Sequence, residues 1–225
     1  MSVQHTLPAD IERTSMQIIE EELNRRGIAI PGDRAAVVRR VIHTTADFDY
    51  AETLHFTKNA VAQGIEALKT GAPLVTDTNM ALAGISKPSL AALGLTAHCY
   101  MADPEVAQAA RQGGTTRAVA AMQHAAQTCP KAVFAIGNAP TALLALCDLM
   151  EGQALRPSLI IAVPVGFVNV VESKQRLFAL CEEKGVPCIA AMGRKGGSTV
   201  AAAICNALLY SATDRLDPTA RGWQG

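Results

Sequence analysis

The sequence is poor in aromatic side chains, has no excess of either charge and lacks a long unbroken apolar run. Each shortage removes a class of function. Phe, Trp and Tyr make up 4% of the 225 residues, with a single Trp. That leaves few flat rings for stacking nucleobases or sugars. Twenty Lys and Arg offset twenty Asp and Glu, so no global field draws the chain to nucleic acid or to an anionic membrane. The longest apolar stretch, LIIAVPVGFVNVV, is interrupted by Pro164, Gly166 and Asn169. It falls well short of the roughly 20 residues that cross a bilayer as a helix. The opening MSVQHTLPAD has neither a basic start nor an apolar run, which predicts no signal peptide.

Further absences concern chemistry. The six cysteines (99, 129, 147, 181, 188 and 205) form no CxxC pair, and most stand among Ala, Leu and Ile as small buried hydrophobes do. This predicts a reducing, cytoplasmic location and no metal held by the protein itself. There is no G-x-G-x-x-G for a dinucleotide, no G-x-x-x-x-G-K-[ST] for a nucleoside triphosphate and no G-x-S-x-G nucleophile elbow.

What is present is the material of a core. The chain is 49% hydrophobic and 18% charged, and at this length folding hides about 70% of the surface of the unfolded chain. The first part reads as helices: TSMQIIEEELNRRG closing at Gly27, RAAVVRRVIH, and AETLHFTKNAVAQGIEALKTG with Leu54, Val61, Ile65 and Leu68 in register. The rhythm then changes. APLVTDT, LTAHCYM, KAVFAIG, LIIAVPV and PCIAAM have the length of buried strands, and helical segments separate them. This alternation predicts an α/β fold: a three-layer, mostly parallel sheet with helices on both faces, preceded by the N-terminal helices. The whole chain, 1–225, reads as one domain, with 1–10 and 212–225 as loose tails.

Parallel sheets bind ligands beyond the carboxyl ends of their strands. The loops there share a design. GNAPT, PVGFVNVVESK and GRKGGS combine glycines with helix starts, and Ser198 stands where it can cap the last helix. Cations collect nearby: Lys174, Arg194 and Lys195, with Arg117 after Gly113–Gly114 and Arg39 and Arg40 on an early helix. A neutral protein with cations at its loop mouths suits a polyanionic small molecule. Of the histidines, His43 stands out, near a helix end and on the same face as Arg39 and Arg40. The two guanidiniums disfavour an imidazolium there and the helix C-terminus favours it. Such a group suits a proton donor that becomes competent when an anionic substrate binds.

RVIHTTADFDY, TDTNMALAGI, FAIGNAPTALL, VPVGFVNVVESK and GRKGGSTVAAAICNALL, in that order, resemble the precorrin-8X methylmutase family from about Ser15 to Leu209. The HTTADFDY and GRKGGS versions are more similar to the cobalt-precorrin-8 branch. The resemblance implies a flavodoxin-like homodimer that moves a methyl group from C11 to C12 of a corrin precursor. It implies no added cofactor; cobalt, where present, belongs to the substrate. It makes His43 the proton donor or acceptor, and Ser15 and Arg40 substrate-binding residues. It brings Arg39, Asp77, Arg117, Asn138, Thr141, Gly166, Lys174, Arg194, Lys195, Gly196, Gly197 and Ser198 into the set that would hold the carboxylate-bearing macrocycle. A tetrapyrrole carrier without turnover is the alternative.

Overall fold

A computed structural model describes residues 7–223, and the remaining residues of the two expected tails, 1–6 and 224–225, lie outside them. Three helices lead the chain: α1 (Pro8–Arg25), α2 (Ala35–Thr45) and the short α3 (Tyr50–Thr53). Then follow β1 (Leu54–Phe56), α4 (Ala60–Lys69), β2 (Leu74–Thr76), α5 (Asn79–Gly84), α6 (Lys87–Ala92) and β3 (Ala97–His98). After these come α7 (Pro104–Gln112), α8 (Arg117–Thr128), β4 (Val133–Ile136), α9 (Pro140–Glu151), β5 (Leu159–Ala162), α10 (Val170–Lys184), β6 (Cys188–Ala191) and α11 (Ser198–Ala212).

The sheet order is β1-β6-β5-β4-β2-β3, parallel throughout except for β1 against β6. All five strands expected from apolar runs are present. Those in the middle, β4, β5 and β6, are buried at every position, as strands covered on both faces must be. Their alternate residues feed two separate cores. Leu159, Ile161 and Ile189 pack with α1, α2, α4 and α11, whereas Phe134, Ile136 and Ile160 pack with α7, α8, α9 and α10.

Two expectations need correction. The segment from Ala51 to Gly71 is not one helix: Leu54–Phe56 pairs as an edge strand with Ile189–Ala191 before α4 begins. The apolar spacing is helical across this stretch, but long-range pairing at a sheet edge overrides it. Nor are the described parts of the tails loose. Pro8–Asp10 open α1, and a 3₁₀ turn at Pro218–Arg221 packs back onto that helix. There Arg13 bonds Asp217, and Arg221 reaches Glu12 and lies over the ring of Tyr210.

Candidate active site

His43 occupies the last turn of α2, a helix whose apolar face (Val37, Val38, Val41, Ile42) is buried against the core. The helix stops at Ala46 in a left-handed conformation, φ 54°. Packing therefore fixes where the imidazole stands, half-buried at the molecular surface. Its pKa is lowered, first by burial and then by the charge of Arg40; Glu12 opposes the shift and Arg221 adds to it. His43 has no hydrogen-bond partner among the described residues, which leaves the ring free to meet a ligand.

Behind it lies a cluster that sequence reasoning missed. Glu12, only 4% exposed, accepts from Arg40 at 2.7 Å and from Arg221 at 2.5 Å. Burial alone would push the Glu12 pKa up, but bonds and charge from Arg40 and then Arg221 outweigh it and the net shift is downward. The two guanidiniums flank the Tyr210 ring, at 5.3 Å and 4.5 Å. A signal for Glu12 existed: it shares a helix face with the buried Ala9, Ile19 and Leu23, and a carboxylate on an apolar stripe needs a partner. Arg221 carried none, being one cation in a polar tail. Arg39, by contrast, turns to Glu20 at 2.8 Å and is absent from the charges acting on His43. The second guanidinium near the imidazole is Arg221, not Arg39. Ser15 lies one turn beyond Glu12, its hydroxyl donating to Ile11 O at 2.8 Å.

Hydrogen bonds stitch the five sequence motifs together at one end of the sheet. Lys195 Nζ bonds Asp47 and Asp49, each at 2.6 Å, tying the loop after β6 to the end of α2. Those carboxylates push the Lys195 pKa up. Ser198 Oγ and Thr78 Oγ1 are 2.8 Å apart. Ser198 is thus the first residue of α11 and bonds sideways, while Gly197 holds the cap position. Thr116 and Thr141 meet at 3.3 Å, next to Arg117 at the exposed start of α8. Gly166 N–H donates to Arg194 O at 3.2 Å, and Gly197 N–H to Val163 O at 2.8 Å. The Arg194 guanidinium lies 5.5 Å from the ring of Phe167.

Three of the candidates face inward. Asp77 is buried and accepts the N–H groups of Gly137, Asn138 and Ala139 at 2.8, 2.8 and 2.7 Å. Burial pushes its pKa up, and the three N–H bonds offset this only in part. The amides at the start of this helix are therefore filled by the chain's own carboxylate. The Asn138 side chain remains exposed at the rim. Lys174 is wholly buried, its ammonium bonded to Gly193 O at 2.9 Å and Lys195 O at 2.8 Å. Gly197 is buried, and its N–H is spent on Val163. Gly196 stands where only glycine fits: a Cβ there would lie 2.1 Å from Val163 O.

Close to His43, a hollow of about 250 Å³ opens between α2, α5 and α11, lined by Arg40, Thr44, Met80, Thr199, Asn206 and Tyr210 among others. It is below the roughly 300–1,000 Å³ of pockets that enclose a small molecule. Met80, Phe167 and Val168 are exposed, the latter two at 82% and 77%.

A mostly parallel sheet with polar loops at its carboxyl ends and a perturbed histidine at the rim defines an α/β enzyme class. The model of the precorrin-8X methylmutase family matches residues 10–211, and the chain belongs to that family. Among its relatives, the cobalt-precorrin-8 methylmutase of Leptospira interrogans is 40% identical over 213 residues, covering 93% of this chain and 96% of that one. That of Salmonella typhimurium is 47% identical over 176 residues, 78% of this chain and 80% of the relative. A crystal structure of precorrin-8X methylmutase from Thermus thermophilus superposes with a TM-score of 0.80 at 39% identity, covering 91% of this chain and 98% of that one.

Proposed function

We propose that this protein is a methylmutase of cobalamin biosynthesis, an isomerase that moves a methyl group from C11 to C12 of cobalt-precorrin-8 or precorrin-8X. The observation that carries the reading is His43, half-buried, without a hydrogen-bond partner among the described residues, and set among Arg40, Glu12 and Arg221 at the mouth of the stitched loops. Burial and the net positive surroundings keep the imidazole neutral in the free enzyme. Carboxylates of the substrate, arriving at Arg40 and neighbouring cations, reverse that balance and favour the imidazolium. The charged ring then donates to a macrocycle nitrogen near the migrating methyl. This draws electron density from C11, lowers the barrier to a sigmatropic shift, and the proton returns to His43 afterwards. No electron is gained or lost, so the reaction needs no cofactor of the protein's own, and cobalt enters as part of the substrate.

With Asp77 and Lys174 turned inward, the side chains left for the peripheral carboxylates are Arg117, Asn138, Thr141 and Arg194, with Ser15 and Arg40 on the His43 side. A flavodoxin-like arrangement is supported by the parallel strands, whose order β3-β2-β4-β5-β6 is the 2-1-3-4-5 order of that fold. A homodimer is supported by the small hollow and by the exposed apolar residues at the rim, which a second copy would cover; the six free cysteines are in keeping with a reducing, cytoplasmic location.

The test is an absorbance time course with cobalt-precorrin-8. Wild type is expected to produce the cobyrinate spectrum, and His43→Ala to slow conversion about 10²–10⁴-fold, the usual worth of a general acid. Full turnover by His43→Ala would remove that role. Binding without conversion by wild type, with either metal state of the substrate, would make the protein a tetrapyrrole carrier.

A further inference from the structure

Lys174 is the strangest buried group in the molecule. It lies in the second turn of α10, 0% exposed, with no carboxylate bonded to it among the described residues. Burying an ammonium without a counter-ion is costly unless geometry or a ligand offsets it. Burial is the sole cause acting on its pKa, which falls to about 8. The charged groups around it are already engaged or exposed. On its own helix, Glu172 is exposed and Arg176 is paired with Asp148 and Glu151 of α9. On the loop it supports, Lys195 is held by Asp47 and Asp49, and Arg194 lies over Phe167.

Its two acceptors explain the position. Gly193 O and Lys195 O both turn toward Nζ, and the carbonyl between them, Arg194 O, accepts from Gly166 N–H. Each of three consecutive carbonyls is thus occupied by a donor of the chain, two of them by the buried ammonium. A trans peptide points its N–H opposite to its C=O. The N–H groups of Arg194, Lys195 and Gly196 must therefore face the other way, and none of them meets an acceptor among the described residues. Residues 193–195 are exposed there. Successive outward N–H groups form a concavity for an anion, and the buried ammonium behind them adds positive potential.

We propose that Lys174 is a positioning residue for substrate: it turns the 193–195 carbonyls inward so that the amides of residues 194–196 receive one peripheral carboxylate of the macrocycle. This rests on the methylmutase reading above. The carboxylate supplies the negative charge that Lys174 lacks. Binding and protonation of Lys174 are then reciprocal: the ligand draws a proton onto the ammonium, and affinity falls as pH rises through about 8.

The experiment uses the full chain, cobalt-precorrin-8 for turnover and its corrin product, cobyrinate, as the binding probe. Calorimetry in two buffers of different ionisation enthalpy at pH 8 is expected to show wild type taking up about half a proton through Lys174 on binding cobyrinate, in addition to any taken up by His43. Lys174→Met keeps the side-chain length without the charge. It is expected to take up about half a proton less than wild type, keeping only what His43 takes up, to raise KM about tenfold and to leave kcat within about twofold. Wild-type KM with unchanged proton uptake in Lys174→Met would overturn the proposal. If that variant does not fold, wild type decides: no proton uptake between pH 7 and 9 overturns it equally. Proton-linked binding without any turnover by wild type would sink the methylmutase reading while leaving the role of Lys174 in place.

Discussion

At the scale of single residues, His43 is tuned by one near cation, one carboxylate and one cation from the far end of the chain. Its pKa is lowered by burial, then by Arg40, against the pull of Glu12, with Arg221 adding to the depression. Removing a positive charge stabilises the imidazolium, so the His43 pKa should rise in Arg40→Met and in Arg221→Met. Arg39→Ala should leave it unmoved, because Arg39 spends its charge on Glu20. An NMR titration of the ring proton, or the acid limb of the turnover profile, reads all three. A shift in Arg39→Ala equal to that in Arg40→Met would contradict the assignment. Helix spacing made Arg39 and Arg40 equivalent neighbours of His43; only side-chain direction separates them.

At the scale of elements, the loops after the strands are held by inward polar groups more than they are open to a ligand. The switch in strand order between β2 and β4 is where open parallel sheets admit a ligand. Here Asp77 fills it, with three N–H bonds no longer than 2.8 Å. Asp77→Ala would orphan these donors, one of them fully buried, and should cost about 3 kcal/mol or more. The vacated cradle should then accept formate. A thermal melt in which formate raises the Tm of Asp77→Ala, and not of wild type, is the expected result. A variant as stable as wild type without formate would show the cradle is not sustained by the carboxylate. The loop after β6 is as constrained. Gly196→Ala would drive a methyl into the Val163 carbonyl, and the nearest atoms are backbone that cannot swing aside. That variant should melt well below wild type and lose turnover with it.

Across the whole molecule, the first and last described segments are joined through one buried carboxylate. Glu12, Arg40 and Arg221 bring α1, α2 and the C-terminal turn together within hydrogen-bond distance. Removing one member of a buried charge cluster leaves the others uncompensated. Glu12→Gln should therefore lose about 3 kcal/mol, which for a domain of this size is a fall in Tm of about 6–12 °C. The pH dependence follows from the lowered Glu12 pKa. A carboxylate with a depressed folded pKa contributes stability that is complete above its unfolded value, near 4.5, and is lost as pH falls through the folded one. The difference between wild type and Glu12→Gln should accordingly be constant near neutrality and close on acidification. Melts across that range check the sign.

The alternation of buried runs and helices, the five motifs with their order, and the histidine that stands apart from the others were all legible in the amino-acid order. These follow from residue type and local period, which short-range physics reads directly. It did not reveal β1, because three residues at a sheet edge carry less signal than the helical spacing around them. It also could not assign polar partners. Asp77 and Lys174 belong to the right motifs yet point into the protein, and Glu12 finds Arg221 across 209 residues of chain. Tertiary structure decided those pairings. A buried charge must be matched by whichever donor or acceptor the fold brings near it, and that proximity depends on the closed arrangement of sheet and helices.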